Sequence, residues 1–361
     1  MELEDLGLDG LRQDTLEHLV YMVGPTRSGT SIINNAIGLH PRHLVAAPVS
    51  YFMDRVWSYA TRDDAQTLRR RFEGLPGYTA DAALDREQRD RLNRYMAECF
   101  ARPDLKRLFQ LLPLRALAAG GCGKVPEQVR CWQTKSGNWR GLEKLRRAFP
   151  HARFVFLVRD PRGSILSGAR HASKRAPEGD GHSLLTAEII DFALYWRTTV
   201  AVGLRFARRH PDISMIVRFE DFLVDPVTTL NRVFAWTVGE PMAPAALEAA
   251  LAGLGGGASN TPGESYTGIS TAPLHRWRRD LTPEQVALIS ALTWRTARTA
   301  GYDLEQPTTG PRTVHMIRAM PTVRRKLRAL AKMLLISAMD RTTIRRAQAG
   351  TSLGESSRSA K

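Results

Sequence analysis

Between Gly24 and Ser31 the chain reads GPTRSGTS, with glycines at the first and sixth positions and hydroxyl residues after the second. Such a loop at the start of a helix lets backbone N–H groups converge on an anion, and the helix dipole adds positive potential there. Pro25 and Thr26 shape the loop, Ser28, Thr30 and Ser31 offer hydroxyls, and Arg27 is its only cation, a charged fork suited to phosphate. A nucleotide triphosphatase carries a lysine after the second glycine and shares the γ-phosphate charge with a metal ion. Thr30 stands in that place here. The best candidate for a downstream metal-holding acid is the end of FVFLVRD, where Arg159 precedes Asp160. A single phosphate or a phosphosulfate therefore suits the loop better than a triphosphate, without a metal site. The alternative is a glycine-rich turn that only caps a helix.

The elements around the loop are those of a phosphate site. LEHLVYMVG (16–24) reads as a buried strand ending at a glycine, and SGTSIINNAIGLHP as a helix stopping near Gly38 and Pro41. Residues 51–118 have helical spacing and read as a helical insertion. VRCWQTK (129–135), ARFVFLVRD (152–160) and ISMIVRF (213–219) read as further strands. Pro161 suits the first turn of the helix after the second of these, and Asp225 with Pro226 begins another. A long amphipathic helix spans 185–209, and LTPEQVALISALTWRTARTAG (281–301) is a capped helix. Strands alternating with helices predict an α/β fold of the P-loop type, three layers with a central parallel sheet flanked by helices. In such a fold Arg159 closes a strand at its carboxyl end, where ligands bind. Seven residues separate it from Ser167, about two turns into the next helix. The pair can meet a second phosphate; alternatively Arg159 pairs with Asp160 and Ser167 is a surface residue.

Taken together, PTRSGTS and the Arg159/Ser167 spacing resemble the sulfotransferases that use 3′-phosphoadenosine 5′-phosphosulfate (PAPS). GLHP, FPHARFVFLVRDPRGSILS, VRFEDFLVDPVTTL and LHRWRRDLTPEQVALI are similar to the tyrosylprotein, carbohydrate and bacterial branch of that family, over about residues 18–303. The loop has one residue more than the family pattern between Pro25 and Arg27. The resemblance implies that residues 25–31 hold the 5′-phosphosulfate and that Arg159 and Ser167 hold the 3′-phosphate. It implies PAPS as co-substrate, no metal, and in-line transfer of a sulfuryl group to a hydroxyl or amine of a glycan, lipid or small molecule. Arg27 would bridge the leaving oxygen. Lys135, in QTKSGNW, falls where the branch carries a lysine and would be a second charge stabiliser; it reads equally as a solvated strand-end lysine. Arg276, with Trp277, would close over the nucleotide, although Trp277 reads better as a core anchor, as does Trp196.

One expected group is missing. Relatives place a glutamate shortly after HP and before a proline, whereas this chain has Ala46 and Ala47 before Pro48. His43 and Asp54 are the nearest candidates for the general base. An acceptor supplying its own nucleophilicity, or a loss of catalysis, would also account for the departure. His40 and the Arg218, Glu220, Asp221 group read as structural.

Composition narrows the remaining classes. Of 361 residues, 43% are hydrophobic and 24% charged, as in soluble globular proteins. The net charge of +16 lies mostly in residues 306–361, which hold twelve Lys/Arg and two Asp/Glu. The remainder carries 40 basic and 34 acidic residues, +6, so charge gives no case for nucleic-acid binding. QPTTGP marks a boundary between a domain over 1–305 and this basic extension, in which VRRKLRALAKMLLISAM reads as a helix that either touches anionic lipid or a partner, or packs on the body. The acidic start lacks the apolar core of a signal peptide, and no apolar run reaches the roughly 20 residues that span a bilayer. Cys99, Cys122 and Cys131 form no C-x-x-C pair. These features predict a cytoplasmic protein with reduced thiols, peripheral at a membrane if the tail binds lipid. The competing classes are a P-loop kinase or triphosphatase and a non-catalytic nucleotide-binding relative.

Overall fold

The computed structural model describes residues 13–46, 52–75, 84–120, 123–137, 139, 141–173, 181–254 and 268–305. Strand β1 (Leu19–Val23) is buried along its whole length. Its side chains alternate between two cores: Leu19, Tyr21 and Val23 in one, Val20 and Met22 in the other. A strand buried on both faces belongs at the centre of a helix-covered parallel sheet. Among the described residues that sheet has five strands in the order β2-β3-β1-β4-β5, with β2 (His43–Val45), β3 (Cys131–Ser136), β4 (Arg153–Val158) and β5 (Ser214–Arg218). Every pairing is parallel. The chain runs from β1 to the β2/β3 side and then crosses to β4 and β5. The carboxyl ends of β1 and β4 therefore flank the point where the strand order reverses, which in open α/β sheets is the ligand crevice.

Helix α1 (Thr30–Ile37) follows β1. Four helices lie between β2 and β3: α2 (Phe52–Arg55), α3 (Ala65–Glu73), α4 (Arg86–Ala101) and α5 (Leu105–Ala118). Asp64, Asp85 and Asp104 start the last three by accepting a backbone N–H from the residue three positions on. They pack an aromatic cluster on one face of the sheet, with Phe109 in contact with Tyr21, Phe52, Trp132 and Phe149. Helix α6 (Leu142–Ala148) leads to β4, followed by α7 (Pro161–Ser173) and α8 (Gly181–Arg209). Helices α9 (Phe219–Val224), α10 (Pro226–Val238) and α11 (Pro244–Ala252) cover the other face. The short α12 (Arg276–Asp280) and α13 (Pro283–Thr299) pack with α7 and α8 around a third core that holds the fully buried Trp196. Asp225 caps α10 with Pro226 at its first position, and Thr282 with Gln285 forms a capping box on α13.

The predicted parallel α/β sheet is present. Strand β2 has no counterpart in the sequence reading, because three residues after a proline turn carry no period. The chain divides after Glu305, and residues 306–361, with the predicted basic helix, lie outside the described residues.

Candidate active site

The loop 24–29 joins β1 to α1 at the reversal point. Gly24 approaches β4 so closely that a Cβ there would stand 2.7 Å from the Leu157 carbonyl oxygen. Gly29 has φ 88° and faces the Phe219 ring, whose nearest carbon would be 2.2 Å from an added Cβ. Gly29 is the N-cap of α1 and supplies no side-chain acceptor, so the first-turn N–H groups open onto the crevice. Ser31 lies exposed in that turn, and Lys135 Nζ donates to its Oγ at 2.5 Å. Lys135 comes from β3, paired with Met22 of β1, so the sheet register delivers its ammonium to the head of the helix.

Two further cations converge. Arg27 Nε–H points at Ser167 Oγ, 3.4 Å away on α7. Arg159, at the end of β4, is buried; its Nη1 donates to the Arg27 carbonyl (3.1 Å) and its Nη2 to the Pro273 carbonyl (3.1 Å), with its guanidinium 4.6 Å from the Phe219 ring centre. Burial lowers the pKa of Arg27. Lys135 is lowered by burial and then by the charge of Arg27. Burial pushes Arg159 down to about 10, against the opposing influence of Glu220 and Asp160. Among the described residues no carboxylate offsets the burial of Arg27 or Lys135. Three partly or wholly desolvated cations around an open helix N-terminus form an arrangement that an anion stabilises. Arg276, at the head of α12, lies near enough to lower the Arg159 pKa further.

Other predicted residues have different tasks. The Ser28 side chain is buried, and its Oγ shares a hydrogen bond with Ser164 of α7 (3.0 Å), so it ties the loop to the helix instead of facing the crevice. Thr26 directs both its N–H (3.2 Å) and its hydroxyl (2.9 Å) to the Tyr195 hydroxyl. Thr30 is buried in the first turn, and Pro25 accepts the Ser28 N–H that closes the loop.

His43 is not placed to act as the base. It pairs with Cys131 at the start of β3, whereas the loop leaves β1 level with Ser136; five residues of strand, about 16 Å, separate the two levels. Its ring is fully buried, with Nδ1 2.9 Å from Gln133 Oε1 and Nε2 2.9 Å from Thr237 Oγ1. Gln133 Nε2 donates to the Asn34 carbonyl, which leaves Oε1 as the acceptor for a proton on His43 Nδ1. Burial, followed by the neighbouring His40, pushes the His43 pKa down to about 3. His40 is structural, as expected: Nδ1 accepts the Arg42 N–H and Nε2 donates to the Glu240 carbonyl. Asp54 lies on α2, beside Met53, which packs against Gly141 in the turn after β3. Its side chain, like Ala47 and Pro48, lies outside the described residues, while Ala46 is buried after β2.

Sequence reasoning missed Tyr195 and Ser164. The Tyr195 hydroxyl takes the two Thr26 contacts and also donates to the Gly137 carbonyl, joining the loop to the turn after β3. Ser164 lies three residues before Ser167 on the same face of α7, a spacing visible in the sequence. Trp277 is half-buried in the third core, with the Arg162 and Arg278 guanidiniums 4.0 Å and 5.0 Å from its ring centre. Arg218 reaches the Gly301 carbonyl, and Glu220 accepts from the Asp160 N–H and the Tyr302 hydroxyl, so this group knits β5 to its surroundings. Among the described residues no cluster of three or more His, Cys, Asp or Glu forms a metal site, and no helix is long and apolar enough to cross a membrane.

The sulfotransferase family model matches residues 20–243, a span that contains the loop, Lys135, Arg159 and Ser167. The chain belongs to the sulfotransferase family. It is 30% identical to carbohydrate sulfotransferase 2 of mouse and of human over 162 residues, 41% of this chain and 29% of each of those proteins. The match thus spans under a third of the length of these curated relatives. Among solved structures, the sulfotransferase domain of the Synechococcus PCC 7002 olefin synthase superposes with a TM-score of 0.51 at 20% identity, covering 80% of this chain and 96% of that one. The sulfotransferase domain of the curacin biosynthetic pathway gives 0.50 at 14%, covering 80% and 99%. These two share the fold.

Proposed function

We propose that the protein transfers a sulfuryl group from PAPS to a hydroxyl or amine of an acceptor by in-line displacement. The observation that carries this reading is the convergence of Lys135, Arg27 and Arg159 on the uncapped start of α1 while, among the described residues, no carboxylate offsets the burial of the first two. When bound, PAPS supplies the sulfuryl group, and its 3′,5′-bisphosphate is the leaving group. The first-turn N–H groups of α1 and Ser31 orient the 5′ end. Lys135 and Arg27 stabilise negative charge on the leaving oxygen, the main contribution expected of a protein in such a transfer. Arg159 and Ser167 hold the 3′-phosphate, and Arg276 closes over it. Tyr195 keeps the loop that carries Arg27 in register with the turn after Lys135.

Asp54 is the remaining carboxylate candidate for the base. The likeness to carbohydrate sulfotransferase 2 supports a sugar hydroxyl as acceptor. The protein would work in the cytoplasm as one catalytic domain over residues 1–305, with the basic extension a peripheral contact for an anionic surface. The test is incubation with sulfur-labelled PAPS and a panel of sugar, lipid and phenolic acceptors. Label in an acceptor, with a rate cut by about 10²–10³ in Lys135→Ala, supports the reading. Label transferred from the γ-phosphate of magnesium ATP instead would replace it with a kinase.

A further inference from the structure

Helices α9 and α10 meet at Asp225, and across that junction Asp221, Val224, Asp225, Thr229 and Arg232 follow one another at helical-face spacing. With Glu220 they line an open cavity of about 380 Å³. Phe222, Leu223, Leu230 and Val233 of the same helices are buried in the second core, so the cavity lies on their outer side. None of its residues belongs to the crevice beside α1. Three carboxylates against one guanidinium give the wall a charge of −2 in a chain whose net charge is +16. Val224 is 71% exposed beside them. Thr229, by contrast, is only 6% exposed. The Thr237 and Thr293 hydroxyls close on the carbonyl four residues back, whereas the Thr229 hydroxyl has no hydrogen-bond partner among the described residues. A buried hydroxyl left open on a cavity wall is an unmet contact that a ligand can satisfy.

The carboxylates do not gather into a metal cluster. A cation whose charge is divided over an aliphatic chain suits them better than a single ion: two ammonium groups match the wall charge, the methylenes cover Val224, and one N–H meets the Thr229 oxygen. Glu220 links this wall to the neighbouring crevice. Its Oε1 accepts the Asp160 N–H (2.8 Å) and its Oε2 accepts the Tyr302 hydroxyl (2.7 Å). Its charge is also the foremost support of the Arg159 guanidinium against burial. A carboxylate has lone pairs for a further donor, and an ammonium there offsets negative charge that opposes a phosphate at Arg159. We propose that this cavity binds a short aliphatic diamine and, on the PAPS reading of the crevice, that its occupancy tightens the hold of Arg159 on phosphate. The coupling is reciprocal: bound nucleotide tightens the diamine by the same factor.

The test is calorimetry on the full chain at low ionic strength, with 1,4-diaminobutane, butylamine and 4-aminobutyrate as probes. The proteins are wild type, Asp221→Asn and Thr229→Val. The diamine binds wild type more tightly than either of the other probes, and each substitution weakens it by about fivefold, the worth of one charge-assisted contact or one buried hydrogen bond. Saturating diamine tightens adenosine 3′,5′-bisphosphate by about threefold in wild type, as a screened charge effect would, and does so less in Asp221→Asn. Butylamine at equal ionic strength does not. Diamine binding that is absent, that is matched by either other probe, or that is unchanged in Thr229→Val overturns the diamine site and leaves only an acidic surface. Diamine binding with no gain in bisphosphate affinity overturns the coupling. A wild type that binds the diamine but not the bisphosphate overturns the nucleotide reading, and the coupling with it, while supporting the cavity as a diamine site.

Discussion

Replacing His43 with asparagine separates a buried histidine from a catalytic one. The ring is neutral in the folded protein, with a pKa of about 3 against an ordinary 6.5. In the unfolded chain it takes a proton below about pH 6.5, so its contribution is complete above that pH. Stability then falls as pH drops, by about 1.4 kcal/mol per unit, towards a limit of 6.5 − 3, or about 5 kcal/mol. At pH 8 the asparagine keeps a donor towards Gln133 but loses the Thr237 contact and ring packing against Phe234, which costs about 1–3 kcal/mol. At pH 4.5 the variant has escaped the protonation cost over two pH units, about 2.7 kcal/mol, so the two stabilities converge or cross. His40 is also lowered, chiefly by burial, and is present in both proteins, so its own titration largely cancels in the difference. Urea unfolding at pH 8, 6.5, 5.5 and 4.5 gives the two curves. Parallel curves refute the buried neutral ring. A hundredfold loss of kcat at pH 8 with unchanged stability restores His43 as the base.

Other consequences follow from the same geometry. Gly29→Ala puts a Cβ into the Phe219 ring at a left-handed φ; about 1–2 kcal/mol for the backbone and 1–3 for overpacking should lower the urea midpoint and abolish bisphosphate binding. Lys135→Ala should cut kcat by about 10²–10³ with little change in thermal midpoint, the effect of losing one preorganised charge stabiliser. Because burial and Arg27 lower the Lys135 pKa, the alkaline limb of kcat/KM should fall below the ordinary lysine value of 10.5 and shift upward in Lys135→Arg. Phe109→Ala empties the centre of the aromatic cluster and should cost about 3–5 kcal/mol in urea unfolding, with bisphosphate affinity retained in the folded fraction.

The loop, its flanking strand and the Arg159/Ser167 pair are legible in the sequence because each is a local pattern: an apolar run, a glycine spacing, a strand ending in a cation. The caps at Asp225 and Thr282 are legible for the same reason. His43 reads as a candidate base because its burial is produced by β2, a three-residue strand whose pairing with Cys131 is non-local. Ser28 and Thr26 read as ligands because a sequence does not show which partners lie across the crevice; Ser164 and Tyr195, more than 130 residues away, decide that. The expected glutamate is missing from the sequence itself, and the buried Ala46 shows that the position after β2 is part of the core.

The most direct test of the central claim is calorimetric titration with adenosine 3′,5′-bisphosphate, in magnesium and in EDTA, of wild type and Arg159→Ala. The account predicts tight binding that is indifferent to magnesium and lost in the variant. Binding that requires magnesium, or that survives the loss of Arg159, contradicts it.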